Sequence, residues 1–279
     1  MKSIFIIGAN GMLGYAMESY YTYMRYKVET VTRKEFDITK EDVFELRHYI
    51  SSANFVVNCA GVIKPRIEDT SVEDVLKVNT VFPINLANLC NSYQTPCFHI
   101  TTDCVFSGRD GKYVESDPYD CEDLYGLSKC GGDSADCMVL RTSIIGEERG
   151  GNSRSLLSWF KSQEGKTVFG FMNHFWNGVT TLYLAEIIEN IMIQGLYRKG
   201  IHHVFSENVV SKFDLLSMIQ EIYNLNIGIV PKKVKSRIDR SLSTEKSLCN
   251  RVVKKSLRKQ IVEMKEFFEK EKHIKELVK

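Results

Sequence analysis

A glycine-punctuated turn close to the amino terminus constrains this chain more than any other feature. Ser3–Ile7 is a short apolar run, and Gly8-Ala-Asn-Gly11-Met-Leu-Gly14 follows it directly. An all-apolar strand of that length belongs in a parallel sheet covered on both faces. Beyond the glycines, Met17, Tyr20 and Met24 fall on one side of a helix. Strand, glycines, helix in that order predict a dinucleotide site. Glycines allow a tight turn and close backbone approach, and the helix N-terminus attracts a pyrophosphate. Gly8, Asn10, Gly11 and Gly14 are candidate cofactor contacts; a plain βα turn is the alternative.

The second strand, Val28–Thr32, ends in Arg33-Lys34. A ribose-binding carboxylate belongs about 20 residues past the glycines. None is there, whereas Arg33 could pair with a 2′-phosphate, so NADP is expected over NAD. Solvated loop charges are the bland reading of the same pair. Asp37-Ile38-Thr39 is expected to cap a helix from Lys40, with Asp37 in reach of an adenine amine. A third strand, Phe55–Cys59, runs into Cys59-Ala60-Gly61, small enough for a cofactor to lie across the strand end. In the long helix that follows, Asn79 sits mid-helix, where Asn is usually solvent-facing or locally bonded.

The stretch Ile100–Lys129 carries the chemistry. It opens as a buried strand, breaks at Ser107-Gly108, and enters a helix near Asp123 with Tyr125 and Lys129 four apart on one face. A cation there is expected to favour the phenolate and pull the Tyr125 pKa below about 10. Such a phenol can protonate a carbonyl near neutral pH, and Thr102 can hold the same oxygen. Cys104, two residues on, is expected on the same strand face as Thr102. The Tyr-x-x-x-Lys spacing is cheap. Tyr23 and Lys27 satisfy it too, in what reads as a surface-like first helix.

Composition narrows the rest. A net charge of +2 over 279 residues gives no nucleic-acid footprint, and no apolar run is long enough for a membrane span. Eight scattered cysteines lack zinc spacing; reduced thiols, a cytoplasmic setting and no structural metal are expected.

In their order along the chain, the glycine turn, Asn58-Cys-Ala-Gly61, Asn79, Thr102-Asp-Cys-Val-Phe and Tyr125-Gly-Leu-Ser-Lys129 resemble the extended short-chain dehydrogenases/reductases. Tyr113–Pro118, Arg141-Thr-Ser143 and Leu242–Lys246 resemble blocks of its dTDP-4-dehydrorhamnose reductase group. That resemblance implies Thr102, Tyr125 and Lys129 as the catalytic trio. It also implies Gly11, Met12, Leu13, Asp37, Ile38, Ala60, Gly61 and Asn79 as cofactor contacts. Cys104 departs from the group, where Tyr is common. GDP-fucose synthase resembles this chain in placing Cys there as an epimerisation acid/base. A second acid is wanting, with Arg154 a weak counterpart, because an arginine stays protonated. Substrate contacts are expected from Thr102, Asp103, Cys104, Ser143, Arg154, Asn173 and Trp176, the last two in an aromatic loop, Phe171–Gly178.

The expected fold is α/β, a Rossmann doubly wound parallel sheet over residues 1–150 with segments returning from about 176–200. A smaller mixed substrate region covers 151–279. The expected reaction is NADPH-dependent reduction of the C4 ketone of a UDP- or dTDP-linked 4-keto-6-deoxyhexose, with a 2-acetamido sugar in view. A 3- or 3,5-epimerase/reductase using Cys104 and a non-catalytic NADP-binding subunit are the alternatives. Homodimerisation is left open.

Overall fold

The computed structural model describes residues 2–150 and 155–277. Its first half alternates strand and helix: β1 (Ser3–Ile7), α1 (Met12–Tyr23), β2 (Lys27–Val31), α2 (Arg47–Ser52), β3 (Phe55–Asn58), α3 (Val72–Leu76), α4 (Phe82–Ser92), β4 (Cys97–Thr102), α5 (Leu124–Gly132) and β5 (Met138–Thr142). The remainder runs β6 (Ile144–Ile145), α6 (Leu156–Lys161), β7 (Thr167–Phe171), β8 (His174–Trp176), β9 (Val179–Thr180), α7 (Thr181–Ile193), β10 (Gly200–His203), β11 (Val210–Ser211), α8 (Lys212–Tyr223), β12 (Gly228–Lys232), β13 (Ile238–Asp239), α9 (Leu248–Val252) and α10 (Leu257–Leu277).

Six strands form one parallel sheet in the order β10-β5-β4-β3-β1-β2. Side chains alternate across it, as the pleat requires. Ile4 and Ile6 meet Met138, Leu140 and Ile187 of α7 on one face. Phe5 and Ile7 meet Val56, Val139 and Leu86 on the other. Both faces are covered, which is why β1 and β3 read as largely apolar runs. From β1 the chain turns outward to β2 and then crosses back to β3. The β1/β3 crevice is therefore the reversal point at which open α/β sheets bind ligands.

A third core joins α6, α8 and the Ile261, Met264 and Phe268 edge of α10, with Trp176 inside it. Here the expected aromatic loop is corrected. His174–Trp176 is a strand, paired antiparallel with β11 and parallel with β13. Its partners lie 34 or more residues away in sequence, so no local pattern announced it. Asp37 does not cap a helix at Lys40 either. Its carboxylate accepts from Thr39, and Asp42 caps the next turn, Val43–Leu46. Among the described residues, no helix is long and apolar enough to cross a membrane.

Candidate active site

The glycine turn is built for close approach. Gly8 has φ +84, and a Cβ there would lie 2.9 Å from the Ala60 backbone. One on Gly14 would stand 2.3 Å from the Gly8 carbonyl. Any side chain at either position separates β1 from α1 or from the β3 loop. Gly11 caps α1 with no side-chain hydrogen bond, and no acid stands in the first turn. The helix N-terminus thus offers its own N–H groups and partial positive charge, with Met12 and Leu13 beginning the helix. Asn10 and Gly11 are exposed at the crevice.

Arg33 lies just beyond β2, largely exposed and 3.7 Å from Asp37. Burial pushes the Asp37 carboxyl up, but hydrogen bonds from Thr39 and the charges of Arg33 and Lys40 outweigh it, and the group titrates below its ordinary range. Ile38 is half-buried next to it. Across the crevice, Cys59 is pushed well up by burial and stays a thiol, and Ala60 donates its N–H to Asn58 Oδ1 at 3.1 Å.

Asn79 is not a solvent-facing residue. It is fully buried in a π-helical turn, Lys77–Val81, between α3 and α4. Its Oδ1 accepts from Val62 N at 2.9 Å, and its Nδ2 donates to Val62 O and Ser128 Oγ, both at 3.0 Å. One amide therefore ties the loop after β3 to α5. The glycine pair in α5 has the same cause: a Cβ on Gly131 would meet Thr80, and one on Gly132 would lie 2.3 Å from the Asn79 carbonyl.

The α5 helix begins at Leu124, capped by Asp123, whose carboxylate accepts from Gly126 N at 2.8 Å and pairs with Lys64 at 2.6 Å. Lys129 is 5% exposed, and burial brings its pKa down to about 8 against the supporting charge of Asp133. Its ammonium points at Gly61, where an added Cβ would be 2.7 Å from Nζ. This corrects the expected pairing. The Tyr125 phenol is raised, because burial dominates and the Cys104 and Asp103 charges add to it, with the Thr102 hydroxyl opposing. Lys129 ends against Gly61, and its charge is not among the leading influences on the phenol. The decoy pair dissolves as well. Tyr23 ends α1 and is exposed, and Lys27 opens β2.

Thr102 closes β4, and Asp103–Val105 forms a 3₁₀ turn, so Cys104 is not on the strand face with Thr102. The Thr102 hydroxyl accepts from Cys104 N at 3.1 Å and donates to Asp103 Oδ1 at 3.2 Å. Burial raises the buried Asp103 carboxyl despite the nearby charges of Arg240 and Lys212. Burial likewise carries the Cys104 thiol up to about 12, aided by Asp103 and opposed by Arg240 and Lys64. Arg154 lies outside the described residues. Lys212 and Arg240, both remote in sequence, supply the cations here, and nothing in the sequence spacing joined them to Thr102.

The other expected contacts are differently employed. Asn173 donates to Val234 O at 2.7 Å and accepts from Val234 N at 3.2 Å, so its amide pins that loop. Trp176 is buried, with Gly178 against its ring and the Lys212 ammonium 5.3 Å over it. It supports Lys212 and has no free face for stacking. Ser143 offers its carbonyl to Val179 N at 2.9 Å.

The three remaining sequence blocks converge on one buried network. Arg141 pairs with Asp133 at 2.6 Å, donates to Tyr119 Oη at 2.8 Å and donates to His203 Nε2 at 2.9 Å. His203 gives its Nδ1 proton to Ser243 O at 2.7 Å, and burial holds it neutral with a pKa near 4. Glu115 binds Thr244 Oγ1 at 2.7 Å. The network clamps the 113–120 loop and the 242–246 segment to the sheet behind α5.

Comparison with known proteins agrees with this architecture. A family model described as the RmlD substrate binding domain matches residues 1–257. The chain is 27% identical over 245 residues to a dTDP-4-dehydrorhamnose reductase of Mycolicibacterium smegmatis, covering 84% of this chain and 72% of that one. It is 27% identical over 267 residues to a probable low-salt glycan biosynthesis reductase of Haloferax volcanii, covering 88% of each. A dTDP-4-dehydrorhamnose reductase of Bacillus anthracis, solved in complex with NADP, superposes with a TM-score of 0.78 at 18% identity, over 97% of this chain and all of that one. The match over residues 1–257 spans both the crevice and the Thr102–Tyr125–Lys129 site, and the chain belongs to the RmlD substrate binding domain family.

Proposed function

We propose that this protein reduces the C4 ketone of a nucleoside-diphosphate-linked 4-keto-6-deoxyhexose using NADPH. The observation that carries the reading is the convergence of Thr102, Tyr125 and Lys129 at the carboxyl end of β4, beside an uncapped helix N-terminus. The crevice suits the cofactor: Gly8, Gly11 and Gly14 keep the turn free of side chains, so that the first N–H groups of α1 can meet a pyrophosphate, and Arg33, exposed just beyond β2, could pair with a 2′-phosphate. Bound there, NADPH supplies the hydride. Lys129, aimed past Gly61 into the crevice, holds a ribose hydroxyl. Tyr125, fully protonated at neutral pH, gives its phenolic proton to the ketone oxygen, which Thr102 orients by turning its hydroxyl from Asp103. Lys212 and Arg240 face the same turn and suit a diphosphate. The relatives named as reductases support this class of substrate.

Reduction without epimerisation is favoured by the Cys104 thiol, which burial keeps protonated and so unfit as a base. A non-catalytic role is disfavoured because all three catalytic side chains are in place. The test is incubation with NADPH and a panel of 4-keto dTDP- and UDP-sugars in deuterated water, with products identified by NMR. A 4-hydroxy product without deuterium at C3 or C5 is expected. No turnover of any 4-keto sugar would overturn the reductase reading, and Cys104-dependent wash-in would establish the epimerase.

A further inference from the structure

Two thiols outside the catalytic constellation touch. Cys121 Sγ and Cys130 Sγ are 3.6 Å apart, one in the loop before α5 and the other directly after Lys129. Both are partly exposed and free, whereas Cys90, Cys97, Cys137 and Cys249 are buried. Gly126 and Cys130 are four apart, so they share a helix face, about 100° round from the face of Tyr125 and Lys129. Cys121 covers that face closely: a Cβ on Gly126 would lie 2.6 Å from Cys121 Cβ and 2.8 Å from its Sγ. The same Cβ would be 2.6 Å from the Cys104 carbonyl. The first turn of α5 is therefore held between the thiol pair and the 3₁₀ turn that carries Thr102 and Cys104.

We propose that Cys121 and Cys130 form an oxidative modification site, closing to an intramolecular disulfide when the protein meets a peroxide. The chemistry balances. The Cys121 sulfur attacks one peroxide oxygen, the O–O bond breaks, and the departing oxygen takes the Cys121 thiol proton and leaves as water, giving a sulfenic acid. The Cys130 sulfur then displaces the sulfenic hydroxyl, which leaves as a second water with the Cys130 proton. The peroxide gains two electrons and the thiol pair loses two. Burial raises both thiols; Cys121 attacks first because Cys130 is packed against Val105, Phe106, Tyr113 and Leu242.

The consequence follows from distance. A disulfide needs its sulfurs about 2.05 Å apart, so the two side chains must close from 3.6 Å by rotation and by a shift of the loop against α5. That movement bears on the turn between Tyr125 and Lys129 and on its contact with the Cys104 carbonyl. Displacements of this order in a positioned catalytic group cost up to about a hundredfold in rate.

The test treats the reduced full-length protein with hydrogen peroxide and digests it with trypsin. Cleavage after Lys112, Lys129 and Arg141 separates the two cysteines onto peptides 113–129 and 130–141. The expected result is a linked pair, 2 Da lighter than the separate peptides, with fragment ions placing the bond at Cys130 and not Cys137. Dithiothreitol should reverse it. Turnover should fall at least tenfold with the cross-link and return with dithiothreitol, whereas Cys121→Ser should keep its turnover under the same exposure. The cross-link is read by mass alone; only the turnover arm rests on the proposed reaction. Absence of the linked peptide, or a bond from Cys121 to another cysteine, would overturn the site. Equal loss of turnover in Cys121→Ser would place the sensitivity elsewhere and overturn the regulatory consequence.

Discussion

Replacing Gly61 with Ala should separate stability from catalysis. The new methyl would sit 2.7 Å from Lys129 Nζ and 3.4 Å from Asn79 Oδ1. The second distance is tolerable and the first is not. Moving from 2.7 to the 3.4 Å of ordinary contact requires the ammonium to retreat about 0.7 Å. Nζ is the far end of a flexible side chain, so the fold gives way cheaply there, at no more than about 1 kcal/mol. The site does not give way cheaply. An ammonium displaced by that much no longer meets a ribose hydroxyl at hydrogen-bond distance, and misplacement near 1 Å costs about a hundredfold. Gly61→Ala should therefore melt within a few degrees of the natural protein while kcat falls roughly 30- to 100-fold. Thermal unfolding by circular dichroism and steady-state NADPH oxidation with a 4-keto sugar measure the two quantities. An unchanged kcat would refute the placement of Lys129, and a large loss of melting temperature would refute the claim that only its ammonium has to move.

Tyr125→Phe should lower turnover by about 10²–10⁴ with NADPH affinity nearly intact, whereas Tyr23→Phe should change neither; single-turnover assays distinguish them. Arg33→Ala should weaken NADPH selectively over NADH, checked by fluorescence titration of both, and equal affinities in the natural protein would exclude a role for the guanidinium. Lys129 keeps its proton to about 8 when folded, against an ordinary value near 10.4 when unfolded. Between those values the unfolded chain binds more protons, so stability of the natural protein rises as pH climbs from about 8 to about 10. Lys129→Met should accordingly be inactive yet more stable at pH 7 by about 3 kcal/mol, the difference closing above pH 10 in urea titrations.

The framework of the sheet was legible because its signals are local. Each of β1, β3 and β4 is a buried run whose apolar content follows from being covered on both faces. The start of α5 near Asp123 was legible as well. What escaped was non-local. The strand His174–Trp176 exists because β11 and β13 pair with it, and an isolated Phe-Met-Asn-His-Phe-Trp stretch carries no trace of partners that far off. Asn79 escaped for a related reason. A buried amide in mid-helix is stable only if its donors and acceptor are met, and its partners Val62 and Ser128 come from two other segments.

The site shows the same division at the level of electrostatics. Four-residue spacing correctly put Tyr125 and Lys129 on one helical face, but a shared face does not make one charge govern the other. The Lys129 ammonium ends against Gly61, in the loop after β3. Tyr125 answers instead to its burial, to Thr102 and to the Asp103–Cys104 turn. On the proposed reaction, the spacing motif therefore carries two separate tasks, a proton donor at the strand end and a cation at the loop after β3. That is why the Tyr23–Lys27 pair, with the same spacing but split between a helix end and an edge strand, can do neither. Lys212 and Arg240 reach the same turn from the far end of the chain: both bear on Asp103, and Arg240 Nε donates to the Phe106 carbonyl at 2.8 Å.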